Sequence, residues 1–303
     1  MTKDNQGLLW GLLGVTLFAA TLPMTKLAVG TTAAPQLSPW FVTFGRAAAA
    51  GVLSILYLLF VHSGGALKVP TKNDWGLVAF TAAGVVVGFP LFLALALRYV
   101  PSMHGAVVTG QLPLATAVVA AIWFKQRPAV GFWICALLGS FLVLGFMILR
   151  AGGISLGAAN IFLLLAMMSA ALGYIGGARL TPKLGAEQVI CWVLVLSLPL
   201  TLPVTLLNMP ASWATIAASS WMGFIYVSLI SMWIGFFAWY RGLAMGGAVR
   251  VSQVQLVQPF LSLLFAIPLL GEQLDMITLF FALGVIATVY VGKKMPVDQG
   301  VKP

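Results

Sequence analysis

Apolar runs of about twenty residues recur along almost the whole chain, separated by short polar links. No other feature constrains the fold as much. A helix rises about 1.5 Å per residue, so each run is long enough to cross ~30 Å of hydrocarbon. Composition agrees: of 303 residues, 61% are hydrophobic and only 7% charged. Soluble domains carry roughly 25% charged residues, and no soluble fold covers so much apolar surface. The alternating pattern of a membrane β-barrel is absent. The expectation is an all-α integral membrane protein.

The runs predict ten transmembrane helices, near 7–28, 39–61, 75–98, 102–124, 129–149, 156–180, 186–207, 216–241, 246–270 and 275–292. Basic residues fall at their ends. With the N-terminus in the cytoplasm, that side holds Lys3, Lys68, Lys72, Lys125, Arg127, Arg179, Lys183, Arg241, Arg250, Lys293, Lys294 and Lys302. The other side holds Lys26, Arg98 and Arg150. This asymmetry places both termini in the cytoplasm, so the net charge of +10 reads as a topology signal and not as a nucleic-acid surface. The start "MTKDNQG" contains Asp4 and leads into a run too long for a cleavable signal. Cys135 and Cys191 lie inside apolar runs and read as buried thiols. Nothing in the pattern requires a metal or cofactor.

The chain repeats itself. "LRYVPSMHGAVVTGQLPLATAVVAAIWFKQ" (97–126) parallels "YRGLAMGGAVRVSQVQLVQPFLSLLFAIPLLGEQ" (240–273). Arg98 falls opposite Arg241. After a three-residue insertion, Thr109, Pro113, Thr116 and Gln126 fall opposite Gln255, Pro259, Ser262 and Glu272. Lys26 falls opposite Arg179 in the first helix of each half. The expected units are 1–150 and 151–303, each of five helices. An odd number reverses the second copy in the membrane, a device of secondary transporters that bind substrate near the midplane.

In these residues the sequence resembles the EamA repeats of the drug/metabolite transporter superfamily, and within it the bacterial aromatic amino acid exporters. The stretch 236–273, ending in "LGEQ", carries most of that likeness; the first half ends in "WFKQ" instead. The resemblance implies a ten-helix inverted-repeat carrier of the bacterial inner membrane. It would export aromatic and other neutral amino acids by alternating access. Its partners would be a small-molecule substrate and the lipid bilayer, with no nucleic acid; homo-oligomerisation stays open. A broad drug or metabolite exporter, coupled to protons, is the alternative. An intramembrane enzyme would need a nucleophile–base pair or metal cluster at depth, which this sequence lacks.

On a helix over 246–270, Ser252, Gln255, Pro259 and Ser262 form one stripe, with Gln258 at its border. Ala106, Thr109, Pro113 and Thr116 form the matching stripe, and Gln111 lies on another face. Polar groups in hydrocarbon require partners. They either bond neighbouring helices or line a substrate cavity. Pro113 and Pro259 are expected to kink their helices at equivalent depths. The remaining cavity candidates are Phe18, Thr21, Phe89, Phe92, Met167, Tyr174, Trp233 and Phe237, whose rings and thioether suit an aromatic substrate. Packing is the competing reading for each.

All six acids fall at or beyond helix ends, so no carboxylate is placed for an intramembrane proton relay. His104 sits near a helix start and reads as structural. Arg46 lies about 10 Å into its helix. It is expected to snorkel or to bond carbonyls near a helix end, with a substrate-carboxylate role as the alternative.

Overall fold

Residues 3–123, 127–151, 157–246, 253–295 and 297–298 are described by the structure, a computed structural model. The first half contains α1 (Lys3–Ala19), α2 (Thr21–Val29), α3 (Pro39–Ser63), α4 (Trp75–Thr81) and α5 (Phe89–Leu97). It continues with α6 (Ser102–Thr109), α7 (Leu112–Trp123) and α8 (Val130–Ala151). The second half contains α9 (Ala158–Leu184), α10 (Ala186–Leu207), α11 (Ala218–Ile225), α12 (Gly235–Gly246), α13 (Gln258–Leu270) and α14 (Met276–Lys294). Two π-helical segments, Ala82–Gly88 and Tyr226–Ile234, join α4 to α5 and α11 to α12. A 3₁₀ turn, Gln253–Val257, leads into α13. The remaining regular element is a two-residue antiparallel ladder between Arg127–Pro128 and Val297–Asp298.

Among the described residues, six helical stretches are long and apolar enough to cross a membrane: Gln6–Val29, Pro39–Ser63, Trp75–Leu97, Ala158–Leu184, Ala186–Leu207 and Ala218–Gly242. Val130–Phe146, Gln258–Leu270 and Met276–Gly292 are shorter apolar helices. Large side chains such as Phe60 and Leu207, 77% and 84% exposed, stand on the outside of the bundle. Hydrocarbon is the solvent that such a surface fits.

The strongest packing joins the halves. α1 lies along α12, α2 along α11, and α4, the first π segment and α5 along α9. α3 packs on α10, α6 on α13, and α8 on α14. Glycines set the closest approaches. A Cβ on Gly84 would come within 2.6 Å of the Ser169 carbonyl and 2.8 Å of the Gly173 Cα. One on Gly242 would reach the Gly11 amide nitrogen at 2.6 Å. Gly84 and Gly242 therefore let helices of this chain approach one another closely.

The predicted continuous helices over 102–124 and 246–270 are corrected. The first is broken by a turn at Gly110–Gln111, between α6 and α7. In the second, residues 247–252 lie outside the described residues, and the 3₁₀ turn precedes α13. Pro113 and Pro259 are each the second residue of a new helix, not kinks within an old one. The physical reason is that a first-turn amide has no intrahelical partner, so proline loses nothing there.

Polar contacts tie down the ends. At one end Asp74 Oδ1 accepts from Lys183 Nζ at 2.6 Å, and Oδ2 from the Thr71 hydroxyl at 2.6 Å and amide at 3.1 Å. Lys183 and Thr71 hold the Asp74 carboxyl down to about 2. Such a group stabilises the fold above the ordinary aspartate value, about 4, and that stabilisation is lost as pH falls toward about 2. Asp74→Asn should therefore lower the melting temperature at neutral pH. The gap between wild type and variant should close between those two pH values. A gap independent of pH would contradict this assignment.

Candidate functional site

Among the described residues, five irregularities interrupt the helices, and all five face one place. They are the break at Ala20 between α1 and α2, the two π segments, the Gly110–Gln111 turn and the 3₁₀ turn. Phe18 and Thr21 flank the first. Val85 comes from the first π segment, Ser231 and Met232 from the second, Gly110 from the turn, and Gln255 from the 3₁₀ segment. Together with Arg46, Phe89, Thr109, Tyr174, Phe236, Gln258, Pro259 and Ser262 they line a cavity between the halves. Irregular backbone at membrane depth is tolerated where it lines a cavity. The cavity has a volume of about 40 Å³. It is a narrow crevice with room for a few waters.

Proline chemistry builds part of the wall. Pro23 has no N–H, so it leaves the Ala19 carbonyl without its donor four residues on. The Ser262 hydroxyl of α13 donates to that carbonyl at 2.8 Å, across the two halves. A break in the first helix is thus satisfied by the polar stripe of the second half. The Thr109 and Thr116 hydroxyls donate instead to Gly105 and Leu112 within their own helices, both at 2.8 Å.

Arg46 is the charged member. It lies on α3 and is 3% exposed. Its Nη2 donates to Ser231 Oγ at 3.2 Å, and that hydroxyl is 2.7 Å from the Thr21 hydroxyl. Its Nε has no partner. The expectation that Arg46 snorkels or bonds carbonyls near a helix end is corrected: the side chain turns into the cavity. No Asp or Glu pairs with it among the described residues. Asp74 and Glu187 are taken by Lys183 and Arg241. Glu272 accepts the Ser102 and Met103 amides, and Asp275 caps α14.

The residues expected to form the cavity divide into two groups. Phe18, Thr21, Phe89, Thr109, Tyr174, Gln255, Gln258 and Pro259 stand on its wall. Phe92 stacks on Phe162 in the α5–α9 contact, with ring centres 6.3 Å apart. Met167 packs with Leu112, Ala170 and Ala171. Trp233 and Phe237 cluster with Tyr57, away from the crevice. Pro113 begins α7 just beyond the turn. His104 bonds Asn160 at 2.7 Å, outside the cavity.

Around the second π segment, Ser231, Met232 and Phe236 stand on the wall, while Trp233 and Phe237, their ring centres 4.9 Å apart, turn together toward Tyr57. Sequence reading chose the neighbouring pair Trp233 and Phe237 and missed Ser231, Met232 and Phe236. It named Arg46 as a charge inside an apolar run but favoured a place near a helix end over the cavity wall on which it stands.

Comparison with known proteins agrees with this architecture. The EamA-like transporter family matches the chain twice, over residues 5–149 and 157–291. A Bacillus subtilis (strain 168) protein described as "Uncharacterized transporter YdeK" is 43% identical over 295 residues, covering 97% of this chain and 99% of the relative. A solved crystal structure aligns with 95% of this chain and 96% of its own, with a TM-score of 0.65 and 16% identity. That likeness concerns the fold alone.

Proposed function

Because the chain belongs to the EamA-like transporter family, as a multi-pass membrane transporter and not an enzyme, we propose that it exports amino acids, aromatic and other neutral ones first. The route is alternating access through the crevice between the halves. We read ten spans as two inverted five-helix units, 1–150 and 151–303, in a bacterial inner membrane with both termini cytoplasmic. Two patterns support inversion. The third helix of each half carries a π segment, and helices of one half pack chiefly on those of the other.

One observation carries the proposal: every backbone irregularity within the described spans contributes to the wall of one cavity. Unwound or re-pitched backbone at the repeat interface is how carriers build a site that opens to one side and then the other. The wall combines Phe18, Phe89, Tyr174 and Phe236 with the amides of Gln255 and Gln258. Rings take an apolar or aromatic side chain, and the polar groups orient the solute. A lipophilic cation is disfavoured, because the cavity contains an arginine and no acid.

The test is flux into proteoliposomes of purified protein. Labelled phenylalanine, tryptophan, threonine and a lipophilic cation are compared with and without a pH gradient. Saturable amino-acid flux that ignores the gradient is expected. Gradient-driven cation movement with inert amino acids would overturn the proposal.

A further inference from the structure

Arg46 presents a problem of charge. A guanidinium keeps its proton in proteins and carries five N–H donors. Here it is almost wholly buried, with one serine hydroxyl 3.2 Å from Nη2 and an unpartnered Nε. A buried cation ordinarily lies against an anion, because protein dipoles alone replace water poorly. No such anion is present among the described residues, and the four acids nearest the helix ends are engaged elsewhere. Yet the side chain is held in place. Thr21 and Ser231, from opposite halves, form a hydroxyl pair that anchors one side of the guanidinium.

From this geometry we infer that Arg46 is the anchor for a carboxylate on the transported solute, and that the carrier selects solutes with one carboxylate on an apolar or aromatic body. The inference rests on the exporter reading of the same cavity. A guanidinium edge matches a carboxylate in two parallel hydrogen bonds, which fix orientation as well as charge. The unpartnered Nε–H supplies one, and Phe89 and Phe236 stand on the same wall to receive the body. Pairing also offsets the arginine's own charge. A simple carboxylate leaves the loaded site neutral, a zwitterionic amino acid leaves only its ammonium, and the empty site keeps its unpaired arginine. The Thr21–Ser231 contact bridges α2 and the second π segment, so occupancy of Arg46 is felt where the halves meet.

Equilibrium binding to the purified full-length protein in detergent tests this, with three probes sharing a phenyl ring. Phenylalanine has both groups, 3-phenylpropanoate lacks the amine, and phenylalaninamide lacks the carboxylate. Both carboxylates should bind, and the amide should bind about 100-fold more weakly, the scale of a lost charge-assisted bond. Arg46→Gln should weaken the carboxylates by about the same factor without lowering the melting temperature, and Arg46→Lys should restore part of the affinity. Equal binding of acid and amide by wild type would overturn the inference, whatever the variants do. So would unchanged carboxylate affinity in Arg46→Gln, or failure of both carboxylates to bind. If 3-phenylpropanoate binds through Arg46 and phenylalanine does not, the anchor stands and the amino-acid reading falls. If phenylalanine binds without dependence on Arg46, the reverse holds.

Discussion

Gly84→Leu should yield no stable carrier, whereas Gly76→Leu, one helical segment earlier, should behave like wild type. Gly84 lies in the first π segment, pressed on α9. Its missing Cβ would meet the Ser169 carbonyl oxygen, the Gly173 Cα and the Gly173 nitrogen at 2.6, 2.8 and 2.9 Å. These are backbone atoms, so no side chain can swing aside, and the helices themselves must separate. Even one added methylene in a packed interior costs about 1–3 kcal/mol, and leucine adds four carbons. Separation here would also part the halves beside Val85 and Tyr174. Gly76 has nothing within 4 Å of its Cβ position. Yield and size-exclusion profile of the purified variants decide the matter. A Gly84→Leu protein that elutes and melts like Gly76→Leu would show that the approach of α4–α5 to α9 is looser than described.

Glu272→Ala should be the most damaging change outside the packed glycines. α6 begins after Pro101, whose side chain offers no cap. The cap comes from the other half: Glu272 accepts the Ser102 and Met103 amides at 2.7 and 2.9 Å. A carboxylate at a helix N-terminus also meets the positive end of the helix dipole. Hydrogen bonds to a charged group contribute about 1.5–3 kcal/mol each. Losing both should lower stability by about 2–4 kcal/mol, discounted for partial access of water. Transport should fall too, because α6 carries Ala106 and Thr109 to the cavity wall. Glu272→Gln keeps an acceptor and should lie between. Thermal melts of the three proteins provide the check; a wild-type melt for Glu272→Ala would mean that the cap is dispensable.

Much of the fold was legible because bilayer thickness imposes run length. α10 occupies 186–207 as read, and α3 and α8 differ from their expected bounds by a residue or two. The polar stripe was legible through its spacing: Gln255, Pro259 and Ser262 share the cavity wall. Local geometry departing from the α-period was not. The π segment Tyr226–Ile234 is one such departure, and Ser231, Met232 and Phe236 stand on the wall where Trp233 and Phe237 were expected. Nothing in "YVSLISMWI" announces that change of pitch. Pro113 and Pro259 were read as kinks because both fell inside long apolar runs; the structure uses them to start helices. Arg46 was misplaced for a different reason. Depth along a helix was available from its number, but the direction of its side chain depends on Ser231, far away in sequence.

Phenylalanine flux, run as counterflow in wild-type proteoliposomes, addresses the central claim most directly. Vesicles preloaded with unlabelled phenylalanine should transiently accumulate the labelled compound, saturably and without a pH gradient. The same vesicles carrying Arg46→Gln protein should accumulate far less. Uptake no greater than in protein-free vesicles, with the wild-type protein folded and monodisperse, would contradict the account.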